Sequence, residues 1–146
     1  MKLSDHFSLD EFTASDTATR LGIANDPDAK TIENLRMLAN TLEQVRHLLG
    51  DSALRISSGY RCILLNRAIG SSDTSAHVHG YAADFTCPAF GTPLQVAQKI
   101  AESAIKFDQI IYEGTWVHLS IDPKYRREAL SAHFAGGKAS YTKGLA

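Results

Sequence analysis

From residue 26 to residue 50 apolar side chains recur at alternating steps of three and four: Leu35, Leu38, Leu42, Val45 and Leu49. That is the period of one helical face. Asp26-Pro27 predicts the helix start, with Asp as the cap and Pro in the first turn, and Gly50 predicts its end. A helix with one apolar stripe must lay that stripe against another element. The rest of the chain offers short runs of strand character at 54–58, 81–86, 109–113 and 116–121. Residues 64–69 predict a short helix stopped by Gly70. Thr92-Pro93-Leu94-Gln95 has the form of a capping box, opening a helix that buries Leu94, Ala97, Ala101 and Ala104. Gly114-Thr115 between the last two runs is a two-residue, glycine-led hairpin loop. The first 25 residues read as irregular, and the tail from Pro123 as a loop over the surface. This order predicts an α+β fold, a small mainly antiparallel sheet packed by helices, in one domain over residues 1–146.

Composition narrows the function. Apolar residues make up 44% and charged residues 21% of 146, an ordinary balance for a globular protein. A net charge of -1 argues against nucleic acid as the main partner. No segment is long and apolar enough to span a bilayer, so no stable membrane insertion is expected. The start, MKLSDHFSLDEF, lacks the apolar stretch of a signal peptide. Synthesis in the cytoplasm is expected, with a separate route out if the target lies beyond the membrane. Cys62 and Cys87 form no CxxC pair and read as small buried hydrophobes, with a disulfide as the next reading and thiolate metal ligation last.

Two histidines and an aspartate stand out: His77 and Asp84 in SSDTSAHVHGYAADF, and His118 in TWVHLSI. Two imidazoles and a carboxylate with one open position form a ligand set for catalytic zinc. Asp84 precedes Phe85 in a strand entering the core, where a carboxylate is costly unless paired or bound to metal. His79, two residues after His77, competes for the same role. His6, His47 and His133 have no partner pattern. Spacing alone leaves the ligand set open. With Gly114 and Thr115 as the loop, Glu113 lies opposite Trp116 and shares a face with Trp116 and His118. A longer loop would break that register.

Three ordered motifs resemble the D-Ala-D-Ala zinc peptidase family. Ser75, His77, Gly80, Ala82 and Asp84 resemble its S-x-H-x-x-G-x-A-x-D signature. Trp116, Val117, His118 and Ser120 resemble its W-V-H-x-S element, and Ser58-Gly59-Tyr60-Arg61 its S-G-Y-R element, with Asn66 at the asparagine that commonly follows. FSLDEF and the leucine helix resemble the phage-type branch. The resemblance implies a hedgehog/DD-peptidase-like fold and one Zn2+ held by His77, Asp84 and His118, with His79 on a variable position. It implies that Arg61 polarises the substrate carbonyl or holds a carboxylate. Substrate contacts are expected from Ser75, Tyr60 and Trp116. Where several branches carry an acid three residues before the last histidine, this chain has Thr115. The nearest acid is Glu113, which fits the phage-type habit of an acid before a glycine, and it is expected to be the general base, with Asp108 as fallback.

The implied activity is hydrolysis of the peptidoglycan stem peptide, as an L-Ala-D-Glu endopeptidase of endolysin type. The competing reading is a D-Ala-D-Ala carboxypeptidase. A non-catalytic zinc module, as in the hedgehog signalling domain, and a metal-free wall-binding domain are further alternatives. The expected setting is a monomer released through a holin to act in the periplasm and cell wall.

Overall fold

The computed structural model describes residues 1–146. Two short helices, α1 (Leu9–Thr13) and α2 (Asp16–Leu21), precede the long helix α3 (Ala29–Leu48). Strand β1 (Arg55–Ser58), helix α4 (Ile63–Ala68), a 3-10 turn (Ala76–His79) and strand β2 (Ala82–Thr86) follow. Helix α5 (Pro93–Glu102) then leads into β3 (Gln109–Tyr112), β4 (Val117–Ser120), β5 (Glu128–Ala135) and β6 (Lys138–Lys143).

The leucine stripe is the spine of the core. Leu35, Leu38, Leu42 and Val45 have no exposed surface, and Leu49 has almost none. The helix starts later than Asp26-Pro27 suggests. Asp28 is the cap, and its carboxylate accepts the Thr31 N–H at 2.8 Å.

The six strands run in the order β1-β2-β4-β3-β5-β6, and every pair is antiparallel except β3 with β5. The α+β expectation holds. Alternation divides the sheet into two faces. Ala83, Phe85, Ile110, Val117 and Leu119 join the apolar cluster with α3 and α5. Asp84, Ile111 and His118, one step along each strand, point to the other side. They are mutual partners in the register, Asp84 with His118 and His118 with Ile111.

Three expectations are corrected. The first 25 residues are not irregular. Glu11 accepts the Ser8 N–H at 2.9 Å, a capping interaction that starts α1 and delivers Phe12 into the core. The tail is not a surface loop but the β5–β6 hairpin. Ala135 pairs with Lys138, so Gly136 and Gly137 form a two-residue turn with φ of 59° and 75°. A turn with both central residues at positive φ matches the strand twist, and glycine adopts it without steric cost. Helix α5 has the expected capping box, with Thr92 and Gln95 bonded reciprocally at 2.9 and 3.2 Å. Its buried face, however, is Val96, Ala97 and Ile100 rather than Leu94, Ala101 and Ala104. Val and Ile remove more apolar area from water than the alanine row does, and the helix ends before Ala104.

The link from β4 to β5 crosses the start of β3, and Asp108 pins it there. Its carboxylate accepts from the Arg126 backbone N–H at 3.0 Å and from Arg126 Nε and Nη2 at 2.9 Å each.

Candidate metal centre

The local fold around each ligand explains why the three meet. Asp84 and His118 are cross-strand neighbours on β2 and β4. His77 arrives from outside the sheet, on the 3-10 turn. Gly80 ends that turn with φ 74°, and a Cβ there would lie 3.0 Å from the Thr31 carbonyl oxygen. Glycine is therefore required twice over, for the backbone angle and for the approach to α3. Asn34 on α3 donates to the His79 carbonyl at 2.9 Å and holds the turn in place.

Ligand atoms of the three residues lie within 4.8 Å of one another. His77 Nε2 stands 3.3 Å and His118 Nδ1 3.0 Å from the same oxygen, Asp84 Oδ1. A tetrahedral metal with bonds of about 2.0–2.1 Å sets its ligands about 3.3 Å apart. The donor set and its spacing therefore fit a metal ion. The side chains are 4%, 8% and 12% exposed for His77, Asp84 and His118, so water competes weakly for the ligands.

A second layer fixes their orientation. His77 Nδ1 lies 2.7 Å from the Gly59 carbonyl oxygen, which leaves Nε2 facing Asp84. Gly59 itself is wedged against α1, where a Cβ would come within 2.7 Å of the Phe12 carbonyl oxygen. Tyr60 N–H donates to that same oxygen at 2.7 Å, and Asn25 ties the segment down through Thr13, Tyr60 and Cys62. The N-terminal helix thus braces His77 through Gly59.

Arg61 lies beside the trio. Its Nε donates to Ser58 Oγ at 3.1 Å, Nη1 to Asn66 Oδ1 at 3.2 Å and Nη2 to Asp84 Oδ2 at 3.4 Å. Three of its N–H groups are engaged, and a guanidinium has five. Asn66 is fully buried and also donates to the Ser72 carbonyl at 2.7 Å, so it orients Arg61.

Glu113 occupies the far rim. Its N–H donates to the Trp116 carbonyl at 3.0 Å, so the two face each other across the Gly114-Thr115 turn as the spacing predicts. Trp116 Nε1 donates to Glu113 Oε2 at 2.5 Å.

The electrostatics separate the groups. Burial pushes the His77 imidazole down. His118 is pushed down by burial too, but the Asp84 bond and charge outweigh this and raise it. Burial works against the Asp84 carboxylate, yet the two histidines outweigh it and hold Asp84 far below the usual carboxylate range. Glu113 is raised, first by burial and then by the Asp84 charge. The result is one carboxylate whose ionised form is favoured and a neighbour whose affinity for protons is raised, a pattern of acid–base sites.

The other expected residues divide. Ser75 Oγ accepts the His77 N–H at 3.3 Å and so shapes the turn at the cleft wall. Trp116 reaches the cleft, and Tyr60 lines a neighbouring one. Asp108 has its carboxylate taken up by Arg126, which holds it below the ordinary range, so it is unsuited to be the base. His79 stays out of the ligand group and stacks obliquely near Tyr81. Cys62 and Cys87 are both free. Asn25, Asn34 and Gly59 are the supporting residues that the motifs leave unexplained.

The trio sits in a cleft of about 740 Å³ on the side of the C-terminal hairpin. A second cleft of about 390 Å³ lies towards α2 and β1, and both share Arg61, Ile69, Asp84 and Trp116.

A family model described as Peptidase M15 matches residues 5–120, well over half of the chain. The chain is 35% identical over 43 residues to the zinc D-Ala-D-Ala carboxypeptidase of Streptomyces albus G, a stretch covering 30% of this chain. That stretch spans 17% of the relative's length. With the ordered motifs brought together around one buried ligand trio, the chain belongs to the peptidase M15 family.

Proposed function

We propose that this chain is a zinc-dependent peptidase that cuts inside the stem peptide of peptidoglycan, at the L-Ala-D-Glu bond. The observation that carries the endopeptidase reading is the pair of clefts meeting at Arg61, Asp84 and Trp116. A peptide crossing the trio has room on both sides, whereas removal of a terminal residue needs room on one.

His77, Asp84 and His118 would hold the zinc, which supplies Lewis acidity for peptide hydrolysis. Glu113, with its raised affinity for protons, takes the proton of the attacking water and delivers it to the leaving amine. Trp116 Nε1 fixes the carboxylate that does this. Arg61 turns its two free N–H groups to the carbonyl oxygen as charge develops there.

A second reading, D-Ala-D-Ala carboxypeptidase, draws support from the named activity of the Streptomyces albus G relative. Mass spectrometry of digested muropeptides separates the two. Release of the stem beyond L-Ala is the expected result, and loss of one terminal alanine would establish the alternative.

A further inference from the structure

Pairing runs in an unbroken row across the sheet, from Asp84 to His118, Ile111, Leu130 and Lys143. Partners in such a row project to the same face. Tyr141 and Ala139, two and four residues from Lys143, share that face with the metal ligands. Leu130, Ala139 and Tyr141 all line the cleft that holds the trio. Tyr141 is a large side chain left 52% exposed there. Burial and then the charges of Glu113 and Asp84 raise its phenol, which puts the ring within the field of the site. Lys124 and Arg126, from the crossing link that Asp108 pins, line the same cleft. Both hairpin strands lie beyond residue 120, where the family match ends. This wall lies outside the stretch that the family model matches.

Three strand steps of roughly 4.8 Å and two residues of about 3.4 Å along β6 separate the backbone of His118 from that of Tyr141, about 16 Å, of which an extended peptide of three to four residues covers about 10–13 Å and the Tyr141 side chain the rest. We propose that Tyr141, with Leu130 and Ala139, is the specificity-determining wall of the cleft. It contacts an extended acidic peptide three to four residues from the scissile bond, with Lys124 facing its carboxylates. The chain then discriminates among stem peptides by their length on this side. This inference rests on the peptidase reading above.

The test is calorimetric binding to zinc-loaded Glu113→Gln protein, which spares the ligand. The probes are disaccharide-tetrapeptide and disaccharide-dipeptide fragments of purified wall. Tyr141→Ala in that background is expected to weaken the tetrapeptide about tenfold, equal to about 1.4 kcal/mol, and to narrow the gap between the two probes. Tyr141→Phe should keep most of the affinity. Ala139→Trp, which narrows the cleft from an exposed position, should also weaken the longer probe selectively. Unchanged tetrapeptide affinity in both Tyr141→Ala and Ala139→Trp, an equal loss for both probes, or no binding of either probe by the parent would overturn the proposal. Release of new amino groups from whole sacculi by the unmutated protein is measured in parallel. Its absence would sink the peptidase reading while the binding result still decides whether the wall contacts peptide.

Discussion

Replacing Gly59 by alanine links the N-terminal helix to the metal centre in one experiment. The φ of Gly59 lies outside the left-handed range, so alanine meets no backbone penalty there. The obstacle is contact. The new Cβ would lie 2.7 Å from the Phe12 carbonyl oxygen, 2.8 Å from its Cα and 2.9 Å from its Cβ. None of these is the end of a flexible chain, so α1 or the Gly59 segment must move. Overpacking of this kind costs about 1–3 kcal/mol. Restricting the unfolded chain returns about 0.4–1 kcal/mol. At the middle of those ranges the net expectation is a destabilisation of about 1.3 kcal/mol, or about 3–5 °C in melting temperature for a chain of this size. Movement of the segment also pulls the Gly59 carbonyl away from His77 Nδ1, now 2.7 Å distant. Losing such an orienting bond lowers metal affinity by roughly 10–100-fold. Thermal denaturation of the metal-free protein and competitive zinc titration read the two effects separately. A Gly59→Ala protein with the parent's melting temperature and zinc affinity would refute the reasoning. Lost stability with unchanged zinc affinity would refute the bracing of His77 alone.

Other expectations follow from the same geometry. Glu113→Gln should keep stoichiometric zinc and lose kcat by about 10²–10⁴, measured by amine release from sacculi. Full turnover would reassign the base. Phe12→Ala should cost about 3–5 kcal/mol in urea denaturation, because the ring is wholly buried between α1 and the core. Arg126 holds the Asp108 carboxylate below its unfolded value, so their pairing stabilises the fold above the ordinary carboxylate range and is lost as pH falls through it. Asp108→Asn should therefore lower stability at pH 7 and flatten the acid limb of the stability curve below about pH 4. An acid limb identical to the parent's would remove Asp108 from that role.

Much of the site is legible before any coordinates. A two-residue loop that sets Glu113 opposite Trp116 needs only local rules, and that register holds in the fold, whereas the spacing of His77 and Asp84 leaves the ligand set open until the family motifs are read beside it. What stays hidden is long-range. Asn25 and Asn34 look like ordinary polar residues until they are found donating to carbonyls 35 and 45 positions away. Gly59 reads as part of a motif, but its reason lies in Phe12, which sequence order places far from it. The C-terminal hairpin is a different kind of miss. Gly136-Gly137 is a strong turn signal, yet the flanking strands are mostly exposed and lack a clean apolar alternation. The α1 signal, Ser8 followed three residues later by Glu11, is local and has the form of a capping box.

The central claim is that His77, Asp84 and His118 hold the metal on which the chemistry depends. Anomalous diffraction at the zinc edge, from crystals of the zinc-loaded protein, tests it directly. One peak is expected, about 2.0–2.2 Å from His77 Nε2, Asp84 Oδ1 and His118 Nδ1. No peak among these atoms, or a peak ligated by His79 in place of His77, would contradict it.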